Sequence, residues 1–395
     1  MINTATISEA FEFVRNGASI KQQDGASGIP ITRIETIWNA TIDQDRFGYA
    51  NIEDIGEHKN HLLKEGDILM SHINSPKHLG KCAIFKSKPV TLIHGMNLLN
   101  LRPKKNVLEP HFAFYYLSSN GFRESITKIS NQSVNQASFS TTSLKKLQIP
   151  LPPLAEQQKI AAILDAADSL RQKDQQLVER YTALSQSLFL EMFGDPVTNP
   201  MGWVKAQLNT LCSFKKISIS PENITSGTKY IALEGIEKDS GRIINYEKVE
   251  NGELKSNKFY FDEETILYGK LRPYLNKVAL PKFDGICSTE IIPLKPFPNK
   301  TNKFFIVQIL RSAGFVKFAH ENSSGANLPR INPNEIEKHL TIGPPIELQN
   351  QFAERIQLIE AQKQQAQLGL AKSEALFNSL LQRAFTGELT AKMAA

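Results

Sequence analysis

Three cysteines in 395 residues, Cys82, Cys212 and Cys287, stand far apart and form no Cys-x-x-Cys. This excludes a disulfide framework and a cysteine-based zinc site, and a reduced, cytoplasmic protein is the simplest expectation. No apolar run approaches the ~18 residues of a membrane span. Met1-Ile2-Asn3-Thr4 carries no basic stretch ahead of an apolar core, so no secretory signal is expected. Motifs of chemistry are missing as well. There is no Gly-x-x-x-x-Gly-Lys-Ser/Thr loop, no Gly-x-Gly-x-x-Gly, no His-Glu-x-x-His and no Asn-Pro-Pro-aromatic tetrad. His58 and His61 form a His-x-x-His with no third ligand suggested nearby, and a chance surface pair is the simpler reading. Asp262-Glu263-Glu264 reads as a capped or solvated turn rather than a Mg²⁺ site. The expectation is a chain that does no chemistry alone and binds neither metal nor cofactor.

What is present describes a folded protein. Hydrophobic residues make up 41%, charged residues 22%, and phenylalanine alone contributes 22 positions. That composition excludes disorder for most of the chain, and the length suits two or three domains.

The chain repeats itself. Pro152-Pro153-Leu154-Ala155-Glu156-Gln157-Gln158-Lys159-Ile160-Ala161 returns as Pro344-Pro345-Ile346-Glu347-Leu348-Gln349-Asn350-Gln351-Phe352-Ala353, 192 positions on. At the same offset Phe193 falls on Phe385, and a glycine follows each closely (Gly194, Gly387). Upstream, Asp67-Ile68-Leu69-Met70 resembles Thr265-Ile266-Leu267-Tyr268, Gly80-Lys81-Cys82-Ala83 resembles Asn276-Lys277-Val278-Ala279, and Leu99 to Pro103 resembles Ile292 to Pro296. A repeat of this size divides the chain into globular segments at 1–150 and 196–343, each followed by a long helical segment, at 151–195 and 344–395.

The helical reading rests on local chemistry. Pro153 sits where a first-turn proline loses nothing, and Glu156 faces the positive end of the helix dipole. Gly194-Asp195-Pro196 stops the first helix, with Gly194 able to take a left-handed cap. About 40 residues without Pro or Gly make a rod of roughly 60 Å. The second copy, from Pro345 to about Phe385, is interrupted only by Gly369. Ile163, Ala167, Leu170, Asp174, Leu177, Tyr181, Leu184 and Leu188 recur at steps of four and three. So do Phe352, Ile356, Ile359, Lys363, Ala366, Leu370, Ser373, Phe377, Leu380 and Ala384. Sustained 4–3 spacing is a coiled-coil seam. An antiparallel pairing along the full length would bring Asp174 close to Lys363, a polar pair that fixes register. Pairing with another chain is the alternative; two helices of equal length, each closing a duplicated half, favour the internal pair.

Charge follows the same division. Residues 1–150 hold 17 basic and 13 acidic side chains, 151–195 hold 4 and 7, 196–343 hold 20 and 15, and 344–395 hold 5 and 5. Two basic globular segments on neutral-to-acidic rods suit a polyanion touched at two places, against the competing reading of ordinary scatter. Within the globular segments, short apolar runs such as Asp67–Met70 and Cys82–Phe85 read as buried strands, and the runs from Phe112 and Phe304 as core helices. Between the strands lie polar, basic loops, Ser71–Lys81 and Tyr268–Lys277. Lys77, Lys81, Lys270, Arg272 and Lys277 are the candidate DNA contacts, since Lys and Arg meet phosphate or guanine. Asn135 and Asn327, in the paired stretches Ser133–Gln136 and Gly325–Leu328, are weaker candidates. The competing reading is solvated surface charge for the basic residues and a structural domain–helix joint for the asparagines.

Taken together, Pro-Leu-Pro-Pro-Leu-Ala-Glu-Gln-Gln-Lys-Ile-Ala, a long helix ending Leu-Glu-Met-Phe-Gly-Asp-Pro, the Gly-Asp-Ile-Leu and Gly-Lys-Leu-Arg-Pro-Tyr-Leu-Asn-Lys-Val segments and the closing Leu-Gln-Arg-Ala-Phe-Thr-Gly-Glu-Leu resemble the specificity (S) subunits of type I restriction-modification systems. Each motif is weak, but the duplicated arrangement is specific and spans the whole chain. The resemblance implies a mixed α/β fold: two globular α/β target recognition domains separated by two long antiparallel helices, with pseudo-twofold internal repetition. It implies that each domain reads one half of a bipartite, asymmetric site in double-stranded DNA, and that the helices set the gap. It further implies two docked methyltransferase (M) subunits, with room for two restriction/translocase (R) subunits, and no membrane partner. S-adenosylmethionine, ATP and Mg²⁺ would belong to those partners, which flip the target adenine themselves. Rival readings are a stand-alone DNA-modifying enzyme with unrecognised motifs and a coiled-coil scaffold that never touches DNA.

Overall fold

The computed structural model describes residues 3–86, 91–133, 136–386 and 388–391. The chain divides into two compact units, Met1–Gln175 with Leu368–Ala395, and Gln176–Gln367. Both are mixed α/β and share one plan.

In the first unit, strands Phe11–Asn16, Leu98–Pro103, Ile68–Ser71 and Cys82–Ile84 lie side by side in that order, all antiparallel. The second unit repeats the order with Cys212–Ser213, Ile291–Pro296, Ile266–Gly269 and Val278–Ala279. The resembling sequence pairs are therefore equivalent strands. Their central members are buried on both faces, which is why they read as unbroken apolar runs rather than as alternation. Two short helices follow each sheet, Pro110–Ser118 and Asn120–Ile129 in the first unit, Lys303–Arg311 and Ala313–Glu321 in the second. The second helix of each pair is capped by a serine, Ser119 or Ser312, whose hydroxyl accepts from the N–H three residues on. A second sheet of five strands, Ser218–Ile219, Lys258–Phe261, Gly285–Cys287, Thr228–Ile231 and Glu247–Val249, lies in the second unit, and the first unit keeps its pairing as isolated bridges, Ile31 parallel to Ile93, with Ile31–Gly48 and Leu62–Ile93 antiparallel.

The long helices run Leu154–Phe193, the central helix, and Ile346–Thr386, the C-terminal helix. Gly194 closes the central helix at φ +72°. In the first unit, Ile160, Ala161 and Leu164 from the start of the central helix share a core with Phe377, Leu380, Ala384 and Phe385 from the end of the C-terminal helix. In the second, Phe189 and Phe193 pack with Phe352 and Ile356. Within each unit the start of one helix thus meets the end of the other, so the pairing is antiparallel.

Every seam position expected on the C-terminal helix, from Phe352 to Ala384, is buried or half-buried. The central helix corrects the expectation at alternate positions. Ala167, Asp174, Tyr181 and Leu188 face inward, but Leu170, Leu177 and Leu184 are 45%, 41% and 48% exposed. Their places are taken one residue later by Arg171, Val178 and Ser185. The spacing holds and the phase differs, because a leucine every seventh residue outweighs Arg171 and Ser185 by hydrophobicity alone. Both are accommodated: Arg171 pairs with Asp168 at 2.6 Å and lies over Phe377, and Ser185 donates to the Tyr181 carbonyl. Asp174 faces the C-terminal helix at Gly369, whose missing Cβ would sit 4.0 Å from Oδ2. Lys363 is buried in the second unit and its ion-pair partner there is Glu360, at 3.8 Å.

The repeated Pro-Pro segment has a structural job. Gln157 is buried and holds three backbone groups: its amide donates to the Pro152 and Val107 carbonyls, and its carbonyl accepts from the Glu109 N–H. Gln349, its repeat partner, donates to the Pro344 carbonyl and accepts from Thr301 Oγ1 and the Asn302 N–H. Each glutamine fastens the start of a long helix to the start of a short one, where unpaired backbone groups would otherwise be buried.

Candidate nucleic-acid interface

In the first unit the loop Ser71–Lys81 leaves one sheet strand and returns to the next. The Ser71 N–H donates to the Lys81 carbonyl, and the Gly80 N–H to the Ser71 carbonyl, closing the loop at its base. Inside it, Ile73–Asn74 pairs with Ala137–Ser138, which pairs in turn with Asn131–Gln132. The loop and the stretch around 133–136, separate in sequence, are thus joined by a three-stranded ribbon. Lys77 is exposed on the turn Pro76–His78, and Asn131, Gln132 and Gln136 are exposed on the ribbon. Asn135 lies outside the described residues.

The second unit builds the same juxtaposition from different residues. The Arg272 N–H donates to the Pro329 carbonyl at 2.7 Å, and the Ile331 N–H donates to the Lys270 carbonyl at 3.1 Å. These bonds tie the loop to the hairpin Ser323–Ser324 and Arg330–Ile331. Arg272 and Asn327 meet, with Arg272 Nη2 3.5 Å from the Asn327 carbonyl, and both are exposed. Arg272 and Asn276 flank the turn Pro273–Leu275 with φ of +51° and +49°, in the left-handed region that non-glycine residues seldom occupy. Such strain at an exposed basic turn is a common mark of a site.

The basic candidates are not equivalent. Lys277 is half-buried and its ammonium donates to the Leu233 carbonyl at 2.9 Å; burial lowers its pKa. It therefore braces the loop from inside. Lys81 is also half-buried, its pKa lowered first by burial and then by Arg123 and Lys77. His78 is lowered by burial, Lys81, Lys77 and Arg123 together. Lys77, Lys81 and Arg123 form one cationic group beside His78, which they help to hold neutral, and among the described residues none of the four has an acidic ion-pair partner.

Two arginines escaped the sequence reading. Arg123 lies on a helix more than 40 positions from the loop, and Arg330, on the second hairpin, pairs with Glu290 at 3.0 Å. A signal for Arg123 did exist: Ser119-Asn120-Gly121-Phe122-Arg123 matches Ser312-Ala313-Gly314-Phe315-Val316 at the serine, glycine and phenylalanine, and the cation is one of the two differences.

Groups that suggest other chemistry are occupied. Asp262 accepts from the Glu264 N–H and Thr265 Oγ1 and pairs with Lys295, while Glu264 pairs with Lys303. Among the described residues no three His, Cys, Asp or Glu side chains gather as a metal site, and no helix is long and apolar enough to cross a membrane.

Comparisons with known proteins give the geometry a family. Residues 2–180 match the type I restriction modification DNA specificity domain. The chain is 31% identical, over 98% of its length and 93% of the relative's, to the type I restriction enzyme MjaX specificity subunit of Methanocaldococcus jannaschii. It is 22% identical to the StySPI specificity subunit of Salmonella potsdam, over 98% of this chain and 89% of that one. The crystal structure of the type I restriction-modification S subunit from M. genitalium has the same fold, with a TM-score of 0.58 and 15% identity over 97% of this chain and 96% of that one. Duplicated sheets, each with a basic loop tied to a hairpin, and a full-length match to such relatives lead to one conclusion: the chain belongs to the type I restriction enzyme specificity subunits, the non-catalytic DNA-recognition components of their systems.

Proposed function

We propose that the chain reads a bipartite, asymmetric DNA site, one half with each unit. The observation that carries this is the duplication itself: the same sheet order, helix pair and loop–hairpin junction occur twice, with different side chains at the junction. The first junction offers amides (Asn131, Gln132, Gln136) beside Lys77; the second offers Arg272 and Lys270 beside Asn327. Unlike groups on like scaffolds read unlike sequences.

The partners in this reading are double-stranded DNA, two methyltransferase subunits and, where a nuclease is encoded, two restriction/translocase subunits. S-adenosylmethionine, ATP and Mg²⁺ act in those partners. Mapping methylated adenines after co-expression with a cognate methyltransferase subunit tests it. The expected result is one motif of two different short words separated by a fixed gap. Inserting seven residues into each long helix should widen the gap and leave both words unchanged. A single contiguous motif, or modification by this chain alone, would refute the reading.

A further inference from the structure

We propose that Lys81, Arg123 and Ser118 form a seat for a backbone phosphate of the bound duplex in the first unit, and that the second unit has no equivalent seat. The inference rests on the DNA-reading assignment above and adds to it a contact and an asymmetry.

A cavity of about 640 Å³ opens in the first unit, and Lys81, Ser118, Asn120 and Arg123 line part of it. Two carboxylates also line it, but both are engaged. Asp165 accepts from Tyr115 Oη at 2.7 Å and holds His111 Nδ1 at 2.8 Å; Asp168 accepts from Arg171 and Gln172. Among the described residues the cations are left without a counter-charge. Arg123 and Lys77 sit close enough to Lys81 to disfavour its charged form, after burial. Ser118 Oγ and Arg123 Nε are shut off from solvent and have no hydrogen-bond partner among the described residues. Leaving such buried atoms unpaired is costly. An oxyanion with several acceptor oxygens, entering the cavity and drawing these side chains toward it, would relieve both the repulsion and the unpaired donors. Lys77 and His78 connect this cationic group to the loop assigned to DNA, so the source of the oxyanion is a duplex phosphate.

The repeat shows the alternative arrangement. Where the first unit has Ser118 and Arg123, the second has Arg311 and Val316. Arg311 turns inward and donates from Nη2 to the Val278 carbonyl. Among the described residues its Nε also lacks a partner, but protein encloses the guanidinium. Gly241, at φ +63°, passes so near that a Cβ there would fall 1.7 Å from the Val278 carbonyl oxygen and 2.1 Å from Arg311 Nη2. The second unit's cation is consumed by its own fold.

The test is equilibrium binding of the full chain, assembled with its methyltransferase subunits, to a duplex carrying the mapped site between 50 and 200 mM salt. Arg123→Gln should lower the slope of log affinity against log salt by about one unit, so that wild type loses roughly threefold more affinity than the variant over that range. Arg123→Lys should restore the slope, an outcome that a packing role for the guanidinium would not give. Ethylation of single phosphates should weaken wild type at one position in one half-site and leave Arg123→Gln indifferent to that position. An unchanged slope in both Arg123→Gln and Lys81→Gln, with tight duplex binding retained, overturns the seat and leaves the DNA reading standing. Salt-independent failure of wild type to bind any duplex overturns both. Thermal protection by inorganic phosphate over chloride at matched ionic strength, lost in Arg123→Gln while the duplex slope stays unchanged, would assign the seat to a free anion instead.

Discussion

At the scale of single residues, burial decides what each ionisable group does. Asp67 is 1% exposed and receives both Nε and Nη2 of Arg102, each at 2.7 Å, with Asn100 and the Lys64 N–H completing its acceptors. Removing one partner strands a buried charge, so Asp67→Ala should destabilise the chain by about 3–5 kcal/mol in denaturant melts. His94 is fully buried and burial pushes its pKa down to about 4. The fold keeps it neutral, whereas the unfolded chain takes up a proton below about pH 6.5. Stability should therefore fall as pH drops from about 6.5 to 4, by up to ~3 kcal/mol, and His94→Gln should flatten that part of the pH profile. His111 has the opposite sign. Its bond to Asp165 raises its pKa, so its contribution is full below the unfolded value and is lost as pH rises through the folded one. Arg272 is constrained by backbone rather than burial. Arg272→Gly should leave melting within about 1 kcal/mol, because glycine suits a positive φ, yet weaken duplex binding and reduce its salt slope by about one unit.

At the scale of elements, the long helices are held by a few contacts that hydropathy does not reveal. Gln157 and Gln349 satisfy backbone groups at both helix starts, and truncating either to alanine should cost about 2–3 kcal/mol, read as loss of its own unit's melting transition. The exposed Leu177 and Leu184 should tolerate replacement by glutamine within about 1 kcal/mol in the isolated chain, whereas Ile356→Ala, inside the seam, should cost about 2–5 kcal/mol. Comparing the two kinds of substitution by chemical denaturation tests the corrected phase of the central helix. Periodicity gave the helices, their limits to within a few residues and one of the two seams. The other needed partners in view, because an arginine stacked on Phe377 and an enclosed serine look like surface residues until the facing helix is present.

At the scale of the whole molecule, duplication gives both units one scaffold, and their differences lie in loops that the scaffold does not constrain. Arg311→Met and Arg123→Gln separate the two roles a repeated position can take. The first should lower thermal stability with little change in salt slope; the second should do the reverse. The inward Arg311 shows that the halves have diverged in packing as well as in surface chemistry.

The sequence by itself determined the duplication, the two long helices, the strands around each basic loop and the family. All of these depend on local order: proline and glycine stops, unbroken apolar runs and a repeat that survives small insertions. Only tertiary structure decided which cations face outward. Lys277 and Lys81 occupy equivalent places in the repeat, yet one donates to the Leu233 carbonyl and the other joins Arg123 at the edge of a cavity. Charge has no period, and whether an ammonium meets a carbonyl or solvent depends on chain more than 40 residues away.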